Sequence, residues 1–273
     1  MKNQGIQVKE GRTELTVSHP DGEITFIAPE CGTRTYFQLD KEITDANLEM
    51  PTMAQTASLV HAAWQNPDEK YSKRIIEMLK NGWLWASNAI RYVPKNYDGK
   101  LIEGAYIIDR PDVKQGKLII DEEDILCRLE KKDPSVRYVE PNFESGELSS
   151  QELAKNAFVI ALAGDEGAEK LAAVSQHYKL NPCLYIPNTG QLETRVAALD
   201  RRYLGRLLVV GRSLGYYWDG CSFGVRPSDS IESRAYVEKQ YVKSREYTPE
   251  ERSEMLKRKN RFLMLTRKEA LHN

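Results

Sequence analysis

The sequence of 273 residues is poor in the side chains that build metal and redox sites. It contains four cysteines, Cys31, Cys127, Cys183 and Cys221, and no two of them are close enough to form a Cys-x-x-Cys pair. The four histidines likewise include no pair at metal-ligand spacing. We therefore expect reduced thiols, no metal site and no cofactor.

Long apolar runs are also missing. The longest, residues 158–163 and 207–210, have the length of a strand, whereas a membrane-spanning helix needs about 18 or more apolar residues. The first residues show no apolar stretch of the kind that a signal peptide contains. These two absences predict a cytoplasmic protein that does not enter a membrane.

Neither sign of charge is in excess. The chain carries 39 Lys and Arg against 40 Asp and Glu, a formal net charge of −1. Nucleic acid binding depends largely on cationic contacts to phosphates, so this balance predicts no specific binding of DNA or RNA. A chain of this length with 41% hydrophobic residues can bury a core without disulfides or metals.

Hydrophobic periodicity in the first part of the chain predicts hairpins and helices in separate blocks. Alternation around the turn His19-Pro20-Asp21-Gly22 predicts a β-hairpin over residues 6–27, and a further strand is predicted over residues 33–39. Helical spacing predicts helices between residues 51 and 81, with a break at Asn66-Pro67.

A second hairpin is predicted from residues 83–93 and 103–109. Trp83 and Trp85 are two residues apart, so a strand would place both side chains on one face, which we interpret as a core face. A short helix is expected after Asp121, because an aspartate is a favoured residue at a helix start.

The stretch 158–187 is predicted to form strand, helix and strand. Its apolar run 158–163 has the composition of a buried strand, and Gly164-Asp165-Glu166-Gly167 is predicted to turn the chain into the helix. Two carboxylates in this turn argue against a phosphate-binding loop, because they complement the helix dipole themselves.

These elements predict an α+β fold with N-terminal β-hairpins and helices. The C-terminal part is predicted to be mixed α/β, with antiparallel strands over residues 194–227 and a terminal helix that starts at Thr248-Pro249. Pro, Gly and Ser residues near position 145 suggest two parts, residues 1–145 and 146–273; the alternative is one compact domain.

The segment Tyr216-Tyr217-Trp218-Asp219 is the strongest candidate for recognition. Three large aromatic side chains precede a turn, and Gly215 and Gly220 bracket them. We predict that this segment lies exposed near Arg195 or Arg212 and binds a ligand or a partner. The alternative is that the aromatic rings fold back to fill the core.

Residues 194–199, 205–210 and 218–220, followed by Phe223-Gly224-Val225-Arg226-Pro227, resemble the closing strands of C-type-lectin-like domains. The similar branches are those related to formylglycine-generating enzymes and to the variable proteins of diversity-generating retroelements. The resemblance covers residues 194–227. It implies that the loop before the last strand carries binding, through Tyr216, Tyr217, Trp218 and Asp219.

The sequence therefore favours a module that binds a protein or a small molecule. One alternative is an enzyme whose catalytic residues are dispersed along the chain, with Cys31 or Cys221 acting together with a distant histidine. Another is association with nucleic acid through the basic residues of the terminal helix, such as Lys257 and Arg258. The plainer interpretation of that helix is a surface helix with acids first and bases last.

Overall fold

The computed structural model describes residues 7–9, 13–143, 145–186, 190–201, 206–212 and 220–227. The helices are α1 (Tyr36–Asp45), α2 (Met53–Gln65), α3 (Lys70–Asn81), α4 (Glu122–Glu130), α5 (Ser150–Lys155) and α6 (Ala157–His177). The strands are β1 (Gln7–Lys9), β2 (Thr13–His19), β3 (Gly22–Arg34), β4 (Trp83–Val93), β5 (Gly104–Asp109), β6 (Val113–Lys114), β7 (Lys117–Leu118), β8 (Val136–Val139), β9 (Gly146–Glu147), β10 (Asn181–Tyr185), β11 (Glu193–Asp200), β12 (Arg206–Arg212) and β13 (Gly220–Val225).

Eleven of these strands form one sheet, in the order β1-β2-β3-β13-β4-β11-β12-β10-β9, with β5 and β8 branching from β4. Neighbouring strands are antiparallel except for β10 with β12 and β13 with β4. This mostly antiparallel sheet with helices confirms the predicted α+β class. Strands from both sides of position 145 lie in the sheet, and the division into two parts stays a prediction.

The long strand β4 is the centre of the sheet, and one of its edges is forked. Its other edge pairs with β11 from Tyr92 to Trp83. At the forked edge, β13 pairs with the first residues of β4 and β5 with the last ones. At the fork the backbone of Ser87 bonds instead to Pro51 and Arg110, at 2.8 and 2.6 Å. These two bonds satisfy the amide and carbonyl that the diverging strands leave open.

Alternation along β4 sorts its side chains between two cores. Leu84, Ile90 and Tyr92 face the layer of α2, α3, α5 and α6. Trp83 and Trp85 point to the opposite face, where α1 covers them, and both are fully buried as predicted. The sheet therefore has helices on both faces, with the larger core under α2 and α6.

The hairpin around residues 19–22 and the two helices broken near Pro67 are confirmed. The strand predicted over residues 33–39 is wrong, because β3 ends at Arg34 and helix α1 follows. Thr35 and Gln38 form a capping box, in which each side chain accepts a bond from the other residue's backbone amide. This local cap starts the helix despite the β-prone residues around it.

The strand predicted over residues 158–163 is also wrong, since these residues form the first part of α6. Asn156 caps the helix by accepting bonds from the amides of Phe158 and Val159 at 3.0 and 3.2 Å. An apolar run cannot by itself distinguish a buried strand from a buried helix. The helix predicted after the turn is confirmed as part of α6, and the strand predicted over residues 183–186 is confirmed as β10.

The turn predicted at Gly164-Asp165-Glu166-Gly167 lies inside α6, where Gly164 alone departs from helical geometry with φ of 74°. A positive φ costs glycine little, and α6 consists of two helical segments that meet at a kink at this residue. The terminal helix predicted from Thr248 lies outside the described residues.

Candidate functional site

Of the five residues predicted to bind, the structure describes one. Tyr216, Tyr217, Trp218 and Asp219 lie outside the described residues, so the aromatic patch stays a prediction. Arg195 lies on β11 and is half-buried, and its guanidinium pairs with Glu193 at 2.6 Å. This pairing inside the fold reduces the charge that Arg195 can offer to a ligand.

A small polar cluster surrounds Arg195. Tyr92 on β4 lies opposite Glu193 on β11. Gly211 on β12 lies close to this cluster, because a Cβ added there would be 3.0 Å from the Tyr92 hydroxyl and 3.2 Å from Arg195 Cβ. Burial raises the pKa of Tyr92, so its hydroxyl stays protonated. Tyr92 Oη, Glu193 Oε2 and Arg195 Nε are buried without a hydrogen-bond partner among the described residues.

A larger space lies between α3 and strands β2, β3 and β13, and we call it the α3 groove. Its volume is about 500 Å³, within the range of about 300–1,000 Å³ that is usual for ligand pockets. The groove is lined by nine residues: Leu15, Ala28, Glu30, Lys70, Tyr71, Lys73, Arg74, Glu77 and Phe223.

The floor of the α3 groove is apolar. It is formed by Leu15, Ala28 and Phe223, which come from three neighbouring strands and belong to the larger core. Phe223 is held edge-to-face against Phe26, with ring centroids 6.4 Å apart. These three side chains are only 0%, 7% and 3% exposed, so a ligand lying against this floor would gain free energy mainly from removing its own apolar surface from water.

The wall of the groove is the amphipathic helix α3. Glu69 caps the helix, because its side chain accepts bonds from the amides of Tyr71 and Ser72 at 2.8 and 3.0 Å. Ile75, Met78 and Leu79 anchor one face in the core. The residues at positions 70, 73, 74 and 77 share the other face, as helical spacing requires, and line the groove.

Glu30 and Arg74 form an ion pair across the groove, from β3 to α3. Arg74 Nε and Nη2 both donate to Glu30 Oε1, at 2.8 and 2.5 Å. The Glu30 side chain is only 11% exposed, whereas that of Arg74 is 56% exposed. The guanidinium therefore compensates a carboxylate that water reaches poorly.

Two lysines leave positive charge at the mouth of the groove. Lys70 forms no ion pair with any described residue, and its ammonium lies 5.6 Å from the centroid of the Tyr71 ring. Lys73 lies 3.9 Å from Asp68, which is fully exposed, so water and salt weaken this pair. Both lysines lie in the first turns of α3, where the Glu69 carboxylate already complements the helix dipole, so the positive charge at the mouth comes from the two ammonium groups themselves.

A second cavity of about 350 Å³ lies beside the start of α6. Tyr138, Glu140, Asn142, Phe143 and Phe158 are among its lining residues. No lysine or arginine belongs to this lining, and Asn156 is occupied as the cap of α6. We therefore regard the α3 groove as the better candidate for a binding site.

The two cysteines considered for catalysis have unreactive thiols. Burial raises the pKa of Cys221 to about 12 and that of Cys31 to about 11. A nucleophilic cysteine needs its thiolate near neutral pH, so both side chains lack this property. Cys221 instead contacts Met78 Sδ and the carbonyl of Trp83, at 3.5 and 3.6 Å.

Ser58 and Lys170 lie at hydrogen-bond distance, 3.0 Å between Oγ and Nζ, an arrangement that some hydrolases use. However, Ser58 is 1% exposed and its hydroxyl donates to the carbonyl of Ala54 at 3.1 Å. Lys170 also pairs with Glu166 at 2.6 Å. The contact therefore joins α2 to α6, and a substrate could not reach the hydroxyl.

Two features are absent from the part of the chain that the structure describes. It holds no group of three or more His, Cys, Asp or Glu side chains that could bind a metal ion. It also holds no helix that is long and apolar enough to span a bilayer.

Among known proteins, the chain is similar in structure to one solved protein. No protein-family model matches the chain, and no curated protein matches it. A solved structure from work on how the C-type lectin fold accommodates massive sequence variation in Nanoarchaeota matches at 12% identity, with a TM-score of 0.48. The match covers 72% of this chain and 98% of that one.

Sequence reasoning missed the α3 groove, since its lining residues are spread from position 15 to position 223. One signal was present. Lys70, Lys73, Arg74 and Glu77 repeat at the spacing of one helix face, which is typical of an ordinary solvated surface. Only the sheet packed beside that face shows that it borders a cavity.

Proposed function

We propose that this protein is a ligand-binding module and that its α3 groove binds small molecules with an apolar body and an anionic head group. The observation that carries the proposal is the combination of an apolar floor with a cationic wall in one cavity of about 500 Å³. Apolar surface with a few placed polar groups is the usual composition of a ligand site.

The apolar part of the ligand would lie against Leu15, Ala28 and Phe223. These side chains are already ordered by the sheet, so little conformational entropy is lost when a ligand covers them. Aromatic side chains at the rim and floor, Tyr71 and Phe223, suit a flat or chain-like apolar body.

The anionic head would lie near Lys70 and Lys73. Arg74 already pairs with Glu30, so the two lysines carry the cationic charge that is left for a ligand. Ion pairs at a partly exposed rim contribute about 0.2–1 kcal/mol each. The head group would therefore contribute more to the orientation of the ligand than to its affinity.

The test is a fluorescence titration with 8-anilino-1-naphthalenesulfonate, an aromatic probe with one negative charge. We expect saturable binding with one site per chain. The double variant K70A/K73A should weaken the affinity by about 2- to 30-fold, since two rim contacts of about 0.2–1 kcal/mol each are removed.

The matched control is Lys80→Ala, which removes an exposed lysine of the same helix that does not line the groove. Its Kd should equal that of the wild type. Absence of saturable binding, or equal loss in K70A/K73A and K80A, would show that the groove is not the binding site.

A further inference from the structure

The charged side chains of the α3 groove nearly balance one another. Three cations, Lys70, Lys73 and Arg74, face two carboxylates, Glu30 and Glu77, which leaves a net charge of +1 on the lining. A lining with this charge complements an anion that carries a single negative charge.

Glu30 is the less solvated of the two carboxylates. Its side chain is 11% exposed, against 61% for that of Glu77. Water therefore screens the charge of Glu77 strongly and that of Glu30 weakly. The Arg74 guanidinium lies within 2.8 Å of Glu30, whereas its closest approach to Glu77 is 3.9 Å.

We infer that the Glu30–Arg74 ion pair determines the charge preference of the α3 groove, so that singly charged head groups bind in preference to doubly charged ones. The inference rests on the proposed function and makes Glu30 and Arg74 specificity-determining residues. Glu30 occupies the Nε and Nη2 donors of Arg74, and its own charge repels a second negative charge on the ligand.

The experiment compares octyl sulfate with octyl phosphate at pH 8.5, below the concentrations at which either forms micelles. The two molecules share the chain and the tetrahedral head, but the sulfate carries one negative charge and the phosphate carries two. Isothermal titration calorimetry gives Kd for each ligand, and the quantity of interest is the ratio of the two Kd values.

For the wild type we expect octyl sulfate to bind more tightly than octyl phosphate, and tighter binding of octyl phosphate would overturn the inference. Glu30→Gln frees Arg74, so the affinity for octyl phosphate should rise about 3- to 10-fold and that for octyl sulfate by less. Arg74→Gln leaves Glu30 uncompensated, so it should weaken the binding of octyl phosphate more than that of octyl sulfate. The double variant E30Q/R74Q should return the ratio to the wild-type value.

Glu77→Gln is the matched control, because it removes the same charge from the same lining at a well-solvated position. Its effect on the ratio should stay below about twofold. If Glu30→Gln does not fold, Arg74→Gln alone still tests the direction of the shift.

The outcomes separate this inference from the proposed function. If the wild type binds neither ligand, the proposed function is wrong and the inference fails with it. If octyl sulfate binds and K70A/K73A weakens it, but the ratio stays constant in the Glu30 and Arg74 variants, only the inference is overturned.

Discussion

Gly220→Ala would place a methyl group in a space that two buried indoles already fill. Gly220 begins β13 beside Trp83, and a Cβ added there would lie well inside van der Waals contact with the Nε1 atoms of Trp83 and Trp85. Its φ lies outside the left-handed region, so backbone freedom does not explain why this residue is glycine. The residue is small because the indoles need the room.

The magnitude follows from how little these rings can move. Trp83 and Trp85 are 0% and 1% exposed and pack edge-to-face at 5.7 Å, and Tyr36 lies 5.8 Å from Trp85. Overpacking a tight core costs about 1–3 kcal/mol, and relief here would require both indoles or the strand itself to shift. We therefore expect Gly220→Ala to lower the free energy of unfolding by about 3 kcal/mol.

The assay is equilibrium unfolding in urea, followed by tryptophan fluorescence and near-ultraviolet circular dichroism. The control is Gly32→Ala on the neighbouring strand β3, where an added Cβ would meet nothing within 4 Å, and its change should stay within about 0.5 kcal/mol. Equal stability of the two alanine variants would refute the packing argument.

Two further predictions concern titratable groups in the described structure. Because burial raises the pKa of Cys221 to about 12, iodoacetamide at pH 7.5 should leave this thiol unmodified in the native protein for hours and alkylate it readily in urea, as peptide mass spectrometry would show. Rapid alkylation of Cys221 in the native protein would instead support the hypothesis of a catalytic cysteine. The pKa values of His19 and His61 are lowered, first by burial and also by the Lys170 ammonium, although nearby carboxylates oppose this. The unfolded chain therefore binds more protons than the folded one below a pH of about 6.5, so stability should fall as the pH drops through that value. Urea midpoints at pH 7.5 and 5.5 measure this fall, which His19→Gln and His61→Gln should each reduce; an unchanged slope in both variants would contradict the assignment.

Local signals predicted the elements whose boundaries depend on nearby residues. The turn at His19–Gly22 and the break near Pro67 both rest on contacts within a few positions, and both are confirmed. The strands around Trp83 and Tyr106 were likewise predicted by alternation and aromatic content.

The sequence-based predictions were wrong where packing against distant residues decided between a strand and a helix. Residues 158–163 are apolar enough for either a strand or a helix, and the contact of α6 with α2 places them in a helix. There Gly167 packs against α2, and an added Cβ would lie in ordinary van der Waals contact with Ala54 Cα, at 3.5 Å. No pattern within six residues contains that information.

The sequence by itself determined the class of fold, because alternation and helical spacing are local consequences of backbone geometry. It also indicated that Trp83 and Trp85 are buried. Only the tertiary structure decided where a ligand could bind. The α3 groove exists because β13, near the end of the described chain, inserts between β3 and β4 and brings Phe223 beside Leu15 and Arg74. A cavity is a property of surfaces that meet in space, so residues far apart in the sequence carry no local sign of it.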